Sequence, residues 1–201
     1  MKRSVLVAIL AFLAVAMSAQ QKSLLVTDSL YSEVLKCHRP YKVYLPKNYI
    51  ENQDRSYPVL YLLHGLNGDH DNWNKRGRVK EVLDHLAAAG EICQMIVVFP
   101  DADADLPQAK HGYFNYPDWK YEDFFFSEFM PYVEGKYRIL ADKKHRAIAG
   151  LSMGGFHSLF ISINNPDVFG YVGLFSAAVD QQQPDPKGHP EIYADRNQKI
   201  D

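Results

Sequence analysis

The chain has 201 residues, of which 47% are hydrophobic and 23% are charged, so it is long enough to bury the core of one globular domain and is neither a disordered nor a fibrous chain. Its formal charge of −2 and the lack of a Lys/Arg cluster with interleaved aromatic residues give no electrostatic basis for binding nucleic acid. We therefore expect small or neutral partners.

The first residues have the form of a targeting segment. Lys2 and Arg3 precede an apolar run over residues 5–17, and small residues follow, which is the order of a secretory signal peptide. A membrane anchor is the alternative, but the run is shorter than the roughly 20 apolar residues that cross a bilayer. The sequence therefore predicts a signal peptide over residues 1–19, a single domain over residues 20–201, and a secreted or periplasmic protein without a membrane span.

The chain contains two cysteines, Cys37 and Cys93. They can pair in an oxidising compartment, but two residues do not define a disulfide framework. We expect two free and mostly buried thiols, because unpaired cysteine is among the most buried residue types.

The predicted elements alternate between strands and helices. Residues 24–35 and 41–45 have the alternating pattern of an antiparallel hairpin. Unbroken apolar runs, typical of strands buried on both faces, cover residues 59–63, 95–99, 146–149 and 171–175. Apolar residues at helical spacing predict helices near residues 79–86 and 125–137, the Phe and Met side chains of the second lying in the core. This order predicts a three-layer α/β sandwich around a mostly parallel, doubly wound sheet with an N-terminal antiparallel hairpin.

Residues 150–154 read Gly-Leu-Ser-Met-Gly, the pattern of a nucleophile elbow. Gly-x-Ser-x-Gly alone is weak, but here it follows the predicted strand 146–149 and precedes a helical stretch over residues 156–163, which is the setting that the motif needs. Such a tight turn strains the serine backbone and requires glycines on both sides. We therefore predict that Ser152 is a catalytic nucleophile.

The same turn supplies donors for an oxyanion. The backbone N–H of Met153 starts the following helix and faces the charge that develops in acyl transfer. A second donor is expected in the loop after an earlier strand, where His64 and Gly65 follow residues 59–63. We assign this donor to the backbone N–H of Leu66.

These features together resemble the esterase D or tributyrin esterase family, which includes feruloyl and acetyl xylan esterases. The resemblance covers about residues 24–180, and the parts that carry it are His64-Gly65, Asp71-Asn72-Trp73, Phe129-Met130-Pro131-Tyr132-Val133 and Ala149-Gly150-Leu151-Ser152-Met153-Gly154-Gly155. It implies an α/β-hydrolase fold, no metal or organic cofactor, and hydrolysis of short-chain or aromatic acyl esters, including those on carbohydrates.

The family's catalytic acid and base have no counterpart in this sequence. In α/β-hydrolases they follow the serine on loops after later strands. After residues 171–175 only a Gln/Pro-rich loop and a polar tail remain, so the sheet is expected to lack its last strands and the chain to be truncated at its C-terminus. His189 with Asp180 or Asp185 is rejected as an acid and base pair, because no strand and helix would return it to Ser152.

Other candidate sites are weaker. Residues 101–105 resemble the start of a calcium loop, but Leu106 and Gly112 replace the required Gly and Glu. The aromatic residues that follow, among them Tyr113 and Trp119, either stack on a feruloyl ring or sugar or cover the core.

The cluster of His64, Asp69, His70 and Asp71 lacks a recognisable metal-ligand spacing, so no metal is predicted. His64 remains a possible substrate contact, although a hydrogen bond within its own loop is the simpler interpretation. Trp73 is expected to anchor that loop.

The sequence leaves three functional hypotheses. The first is a secreted carboxylesterase that acts through a Ser152 acyl-enzyme. The second is an acyltransferase of the same fold that passes the acyl group to a sugar hydroxyl. The third is a catalytically inactive binding module, which the missing base motivates. The oligomeric state has no signal in the sequence.

Overall fold

The computed structural model describes residues 22–102 and 112–177. Its strands, in chain order, are β1 (Leu24–Ser32), β2 (Cys37–Leu45), β3 (Val59–Leu63), β4 (Ile96–Pro100), β5 (Asn115–Tyr116), β6 (Trp119–Lys120), β7 (Arg146–Leu151) and β8 (Tyr171–Phe175). Its α-helices are α1 (Asn72–Lys75), α2 (Val79–Ala88), α3 (Tyr121–Phe124), α4 (Met130–Lys136) and α5 (Met153–Asn164). A π-helix (Phe125–Phe129) joins α3 to α4, and a short 3₁₀ turn (Lys143–His145) precedes β7.

Six strands form one sheet in the order β1-β2-β4-β3-β7-β8, and β5 pairs with β6 in a separate ribbon. The pairs β1/β2 and β2/β4 are antiparallel, whereas β4/β3, β3/β7 and β7/β8 are parallel. The sheet is therefore mostly parallel with an antiparallel hairpin at one edge, as predicted. The parallel strands point their carboxyl ends to the same edge, where ligands of open α/β sheets bind.

Each face of the sheet has its own core. On one face, alternate residues of the central strands, including Tyr61 and Ile148, pack against the side of the molecule formed by α4 and α5. On the other face, Leu62 and Val97 pack with Leu83 of α2. Burial on both faces explains the unbroken apolar runs of β3 and β4 and confirms the three-layer arrangement.

The expectation of burial on both faces is wrong for β8. Four of its five residues are exposed. Within the described residues, β8 lies at the edge of the sheet and pairs only with β7.

The first strand is shorter than predicted because its turn is held by a carboxylate from another layer. Glu128 Oε1 accepts hydrogen bonds from the backbone N–H groups of Glu33 and Val34 at 3.1 and 3.2 Å, and Ser32 Oγ donates to Glu128 Oε2 at 2.6 Å. These bonds end β1 at Ser32 rather than at residue 35. The partner lies 96 residues away from Ser32 in sequence, so local pattern does not reveal it.

The predicted helix over residues 125–137 begins earlier and contains a π-helical turn. Phe125, Phe129, Met130 and Val133 are buried, which confirms their place in the core. A π-turn closes hydrogen bonds over five residues instead of four. The five-residue spacing brings Phe124 and Phe129 together, with their ring centroids 5.6 Å apart.

The cysteine expectation is wrong in part. Cys37 and Cys93 are both free, as expected, but Cys37 is only half-buried and Cys93 is exposed. Cys93 lies outside the regular elements, after α2 and before β4, so the burial typical of unpaired cysteine does not apply to it.

Over residues 22–102 and 112–177, no helix is long and apolar enough to cross a membrane. Within the same ranges, no group of three or more His, Cys, Asp or Glu side chains could hold a metal ion. The predicted signal peptide, most of the rejected calcium loop and the segment containing His189 lie outside the described residues.

A partly buried ion pair couples α4 to β7 and yields a test of the fold. Arg146 Nε and Nη2 each donate to the Glu134 carboxylate at 2.7 Å, and the Tyr61 hydroxyl donates to it at 3.0 Å. We expect Glu134→Gln to lower the free energy of unfolding by about 2 kcal/mol, because it leaves a largely desolvated guanidinium without its counter-charge. Urea unfolding measures this change.

Glu33→Gln is the matched control for this prediction. The Glu33 side chain pairs with Lys36, but both side chains are more than 70% exposed, so its loss should cost less than about 1 kcal/mol. Equal effects of the two substitutions would contradict the structural role of the Glu134 pair.

Candidate active site

Ser152 lies in the turn between β7 and α5 and has a strained backbone. Its φ is 53° and its ψ is −114°, a combination that residues with a side chain rarely adopt. Two backbone hydrogen bonds fix this conformation. The Ser152 N–H donates to Phe175 O at 2.8 Å, and the Ser152 carbonyl accepts from the Phe156 N–H at 2.9 Å. The predicted nucleophile elbow is therefore present in geometry as well as in sequence.

The elbow requires glycine where α5 meets the ends of the strands. A Cβ on Gly154 would lie 2.5 Å from His64 O and 2.7 Å from Leu63 O, and a Cβ on Gly150 would lie 2.3 Å from Gly154 C. These distances are far below van der Waals contact, and the atoms concerned belong to the backbone. Glycine therefore lets the start of α5 lie against the end of β3.

Ser152 opens into a cavity of about 370 Å³. The cavity is lined by His64, Gly65, Leu66, Asn72, Trp73, Arg76, Gly77, Leu151 and Ser152. Leu66 and Leu151 are exposed apolar side chains on its wall. The cavity thus combines a nucleophile, an apolar surface and a polar rim, which is the usual composition of a small-molecule site.

Leu66 and Met153, the predicted oxyanion donors, both lie next to Ser152. A Cβ on Gly65 would lie 3.7 Å from Ser152 Cβ, so the loop that carries Leu66 lies directly beside the nucleophile. Met153 is the first residue of α5, where backbone N–H groups have no partner within the helix. Among the hydrogen bonds of the described residues, neither N–H has an intramolecular acceptor, so both remain available to a ligand.

His64 supports this loop from inside the protein. Its Nδ1 lies 2.8 Å from Gly65 O, and its Nε2 accepts a hydrogen bond from the Ala102 N–H at 3.1 Å. Burial lowers the pKa of His64, so the ring is neutral and carries its proton on Nδ1. Both ring nitrogens are therefore bonded within the protein. This favours a supporting role for His64 in its own loop over a direct contact with substrate.

Tyr113 and Trp119 do not line the cavity, which corrects their assignment as possible substrate contacts. Both side chains are at most 3% exposed. The Tyr113 hydroxyl accepts from the His64 N–H at 2.9 Å, and Trp119 Nε1 donates to Gly112 O at 2.8 Å. Of the two roles left open by the sequence, the structure assigns them to the core beneath the site.

Two further contacts fix the loop after β3. Trp73 Nε1 donates to Leu63 O at 3.0 Å, which confirms Trp73 as an anchor. Asp101, at the end of β4, accepts from buried Arg39 through Oδ1 at 2.8 Å and lies 2.7 Å from His70 Nδ1 through Oδ2. Hydrogen bonds from the ends of two neighbouring strands therefore hold the loop in place.

The described histidines do not provide a base for Ser152. His64 uses both of its ring nitrogens, His70 pairs with Asp101, and His157 is buried and accepts from the Tyr113 N–H through Nδ1 at 3.1 Å. Of the histidines in the described ranges, His64 alone lines the cavity. The rejected candidate, His189, lies outside those ranges.

The polar rim of the cavity was missed by the sequence reasoning. Asn72 is the first residue of the short turn α1 and Arg76 directly follows its last residue. Their four-residue spacing lets both reach the same side, where they line the cavity. Their spacing after the His-Gly loop is the signal that could have identified them. In isolation the segment reads as an ordinary polar surface.

Gly154→Ala tests the close approach of α5 to β3. The added methyl group has no free space, so we expect the free energy of unfolding to fall by about 1–3 kcal/mol. The control is Gly135→Ala, because a Cβ on Gly135, within α4, meets nothing within 4 Å. Alanine at position 135 should stabilise the protein by up to about 1 kcal/mol through helix propensity. A neutral Gly154→Ala would contradict the packing described here.

The neutral state of His64 predicts a pH dependence of stability. Since its folded-state pKa lies below the ordinary value, the unfolded chain binds more protons below about pH 6.5, and the native state loses stability there by up to about 1.4 kcal/mol per pH unit. His64→Gln should reduce this slope, as measured by urea unfolding between about pH 5 and 8. His85→Gln, at an exposed position on α2, is the control for loss of one imidazole. An unchanged slope in His64→Gln would contradict the assignment.

Comparison with known proteins agrees with this geometry. The protein family described as "Putative esterase" matches residues 32–196. An endo-1,4-beta-xylanase/feruloyl esterase of Xylanibacter ruminicola is 34% identical over 157 residues, which are 75% of this chain and 21% of that protein. A solved ferulic acid esterase is 49% identical with a TM-score of 0.75, over 78% of this chain and 60% of that one.

A ferulic acid esterase of Anaeromyces mucronatus, solved with ferulic acid, is 30% identical with a TM-score of 0.65, over 80% of this chain and 60% of that one. The chain thus spans about three fifths of these solved esterases and about a fifth of the bacterial xylanase/esterase. The elbow, the sheet and these relatives lead to one conclusion: the chain belongs to the putative esterase family and has the α/β-hydrolase fold.

Proposed function

We propose that the protein is a secreted serine carboxylesterase that hydrolyses acetyl-type or feruloyl-type esters, including esters on carbohydrates. The observation that carries the proposal is Ser152 in a strained elbow at the mouth of a cavity with an apolar wall. The names of the relatives, feruloyl esterases and xylanases, support this substrate class. The basic and apolar N-terminal sequence supports secretion.

In the proposed reaction, Ser152 Oγ attacks the ester carbonyl and the carbonyl oxygen becomes negatively charged. The N–H groups of Leu66 and Met153 donate hydrogen bonds to that oxyanion. Collapse of the tetrahedral intermediate releases the alcohol and leaves an acyl group on Ser152, and attack by water releases the acid. Each donor of this kind is typically worth roughly 3 kcal/mol in the transition state.

The apolar wall suits the acyl part of such a substrate. Leu66, in the loop after β3, and Leu151, directly before Ser152, line the cavity, and Trp73 adds an aromatic surface. Trp73 also contacts Phe175, with ring centroids 5.7 Å apart. Aromatic and aliphatic surfaces of this kind fit a flat phenolic ring or a short acyl chain.

The reaction also needs a base that takes the Ser152 proton and returns it to the leaving alcohol. Among the described histidines only His64 lines the cavity, and both of its ring nitrogens are already bonded. We therefore place this base and its acidic partner outside the described residues. Activity is therefore to be measured on protein expressed from the complete reading frame.

Ser152→Ala is the decisive variant. We expect it to reduce kcat/KM for p-nitrophenyl acetate and methyl ferulate by at least about a thousandfold, because the acyl-enzyme can no longer form. The matched control is Ser162→Ala on the same helix, where Oγ donates to Leu159 O at 2.7 Å and has no part in the site. Unchanged turnover in Ser152→Ala would refute the proposal.

If acylated sugar forms in the presence of a carbohydrate acceptor, acyl transfer would replace hydrolysis as the reaction.

A further inference from the structure

We infer that Arg76 selects esters that carry a carboxylate, so that the preferred substrates of the Ser152 site are anionic rather than neutral. This inference rests on the proposed esterase function and specifies its substrate class. It starts from a cation on the rim of the cavity that contains the nucleophile.

The position of Arg76 is fixed by the backbone of α1. Its N–H donates to Asn72 O at 2.9 Å, and the next residue, Gly77, donates to Trp73 O at 3.1 Å. The Trp73 side chain in turn is bonded to the end of β3. A rigid turn therefore presents Asn72 and Arg76 to the cavity.

The carboxylates around this turn are already paired with other cations. Asp71 lies within ion-pair distance of both Lys42 and Lys75, and Lys75 also lies 3.8 Å from Asp69. Within the described ranges, the Arg76 guanidinium has no hydrogen bond or ion pair of its own. Asp69 and Asp71 are thus matched by two lysines, and Arg76 adds an unopposed positive charge at the cavity.

The cavity wall contains no anion to oppose that charge. Among the described residues that line it, Arg76 alone is formally charged, since His64 is neutral. A guanidinium presents parallel N–H donors that match a carboxylate, and the Asn72 amide can add a further donor. The arrangement suits a substrate that places a carboxylate a short distance from its ester bond.

That carboxylate can belong to either half of the ester. It lies on the acyl part in a half-ester of a dicarboxylic acid, and on the alcohol part in an ester of a uronic or other hydroxy acid. The chemistry of recognition is the same in both cases, so the experiment uses one pair of probes for each.

The acyl arm compares mono-p-nitrophenyl succinate with its neutral methyl ester, and the alcohol arm compares the feruloyl ester of glycolate with that of glycolamide. In at least one arm, we expect Arg76→Gln to lower the ratio of kcat/KM for the anionic ester to kcat/KM for the neutral ester about three- to tenfold. The effect is of this size because an ion pair at an exposed position is weakened by solvent. The change should appear in KM rather than in kcat, because the contact is made equally in the ground state and the transition state. Added salt should lower the wild-type ratio and leave that of Arg76→Gln unchanged.

Two variants serve as controls. Arg76→Lys keeps the positive charge but loses the paired donors of the guanidinium, so it should retain part of the preference for anionic esters. Arg55→Gln removes an equal charge from an exposed arginine that does not line the cavity, so its ratios should equal those of the wild type.

The inference is overturned if Arg76→Gln leaves the ratio unchanged in both arms. It is also overturned if anionic and neutral esters lose activity equally, because that result indicates a purely structural role. Failure of the wild type to hydrolyse any of the four esters, anionic or neutral, would instead refute the proposed function, and the inference with it.

Discussion

Two glycines, Gly150 and Gly154, allow the N-terminus of α5 to lie directly against the carboxyl ends of β3 and β7. Every other feature of the site depends on this approach. It brings the start of α5 and the loop that carries Leu66 next to Ser152. The serine there has a backbone conformation that residues with a side chain rarely adopt. The energetic cost of that conformation is offset by the packed sheet on both sides.

Beneath the nucleophile, a layer of polar groups keeps the loop after β3 in a single shape. His64 is neutral and bonded through both ring nitrogens, and Asp101 joins Arg39 to His70. Such buried networks specify one geometry when all of their members are bonded. Preorganised donors need no rearrangement when charge develops during a reaction, which is the condition for electrostatic catalysis.

The parts of the molecule that depend on local pattern were predictable from sequence. The parallel strands, the elbow and the core position of Phe125 and Phe129 follow from periodicity and from one motif. Contacts between residues far apart in the chain were not predictable. Glu128 bonds to the turn after β1 from a helix far away in sequence, and Tyr113 lies in the core with its hydroxyl bonded to the backbone of His64. An aromatic residue on a surface loop and one in a core have the same local sequence signature, so only the tertiary structure separates them.

Trp73 anchors the short turn α1 to the end of β3, whereas Ser152 is bonded to the end of β8 and to α5. The rim and the nucleophile are thus carried by different segments of the chain, α1 and the turn between β7 and α5. Substitutions on the rim can accumulate without disturbing the strained serine. In evolutionary terms, this division lets one reaction be inherited intact while its choice of ester changes, and for protein engineering it marks Asn72 and Arg76 as the positions to diversify.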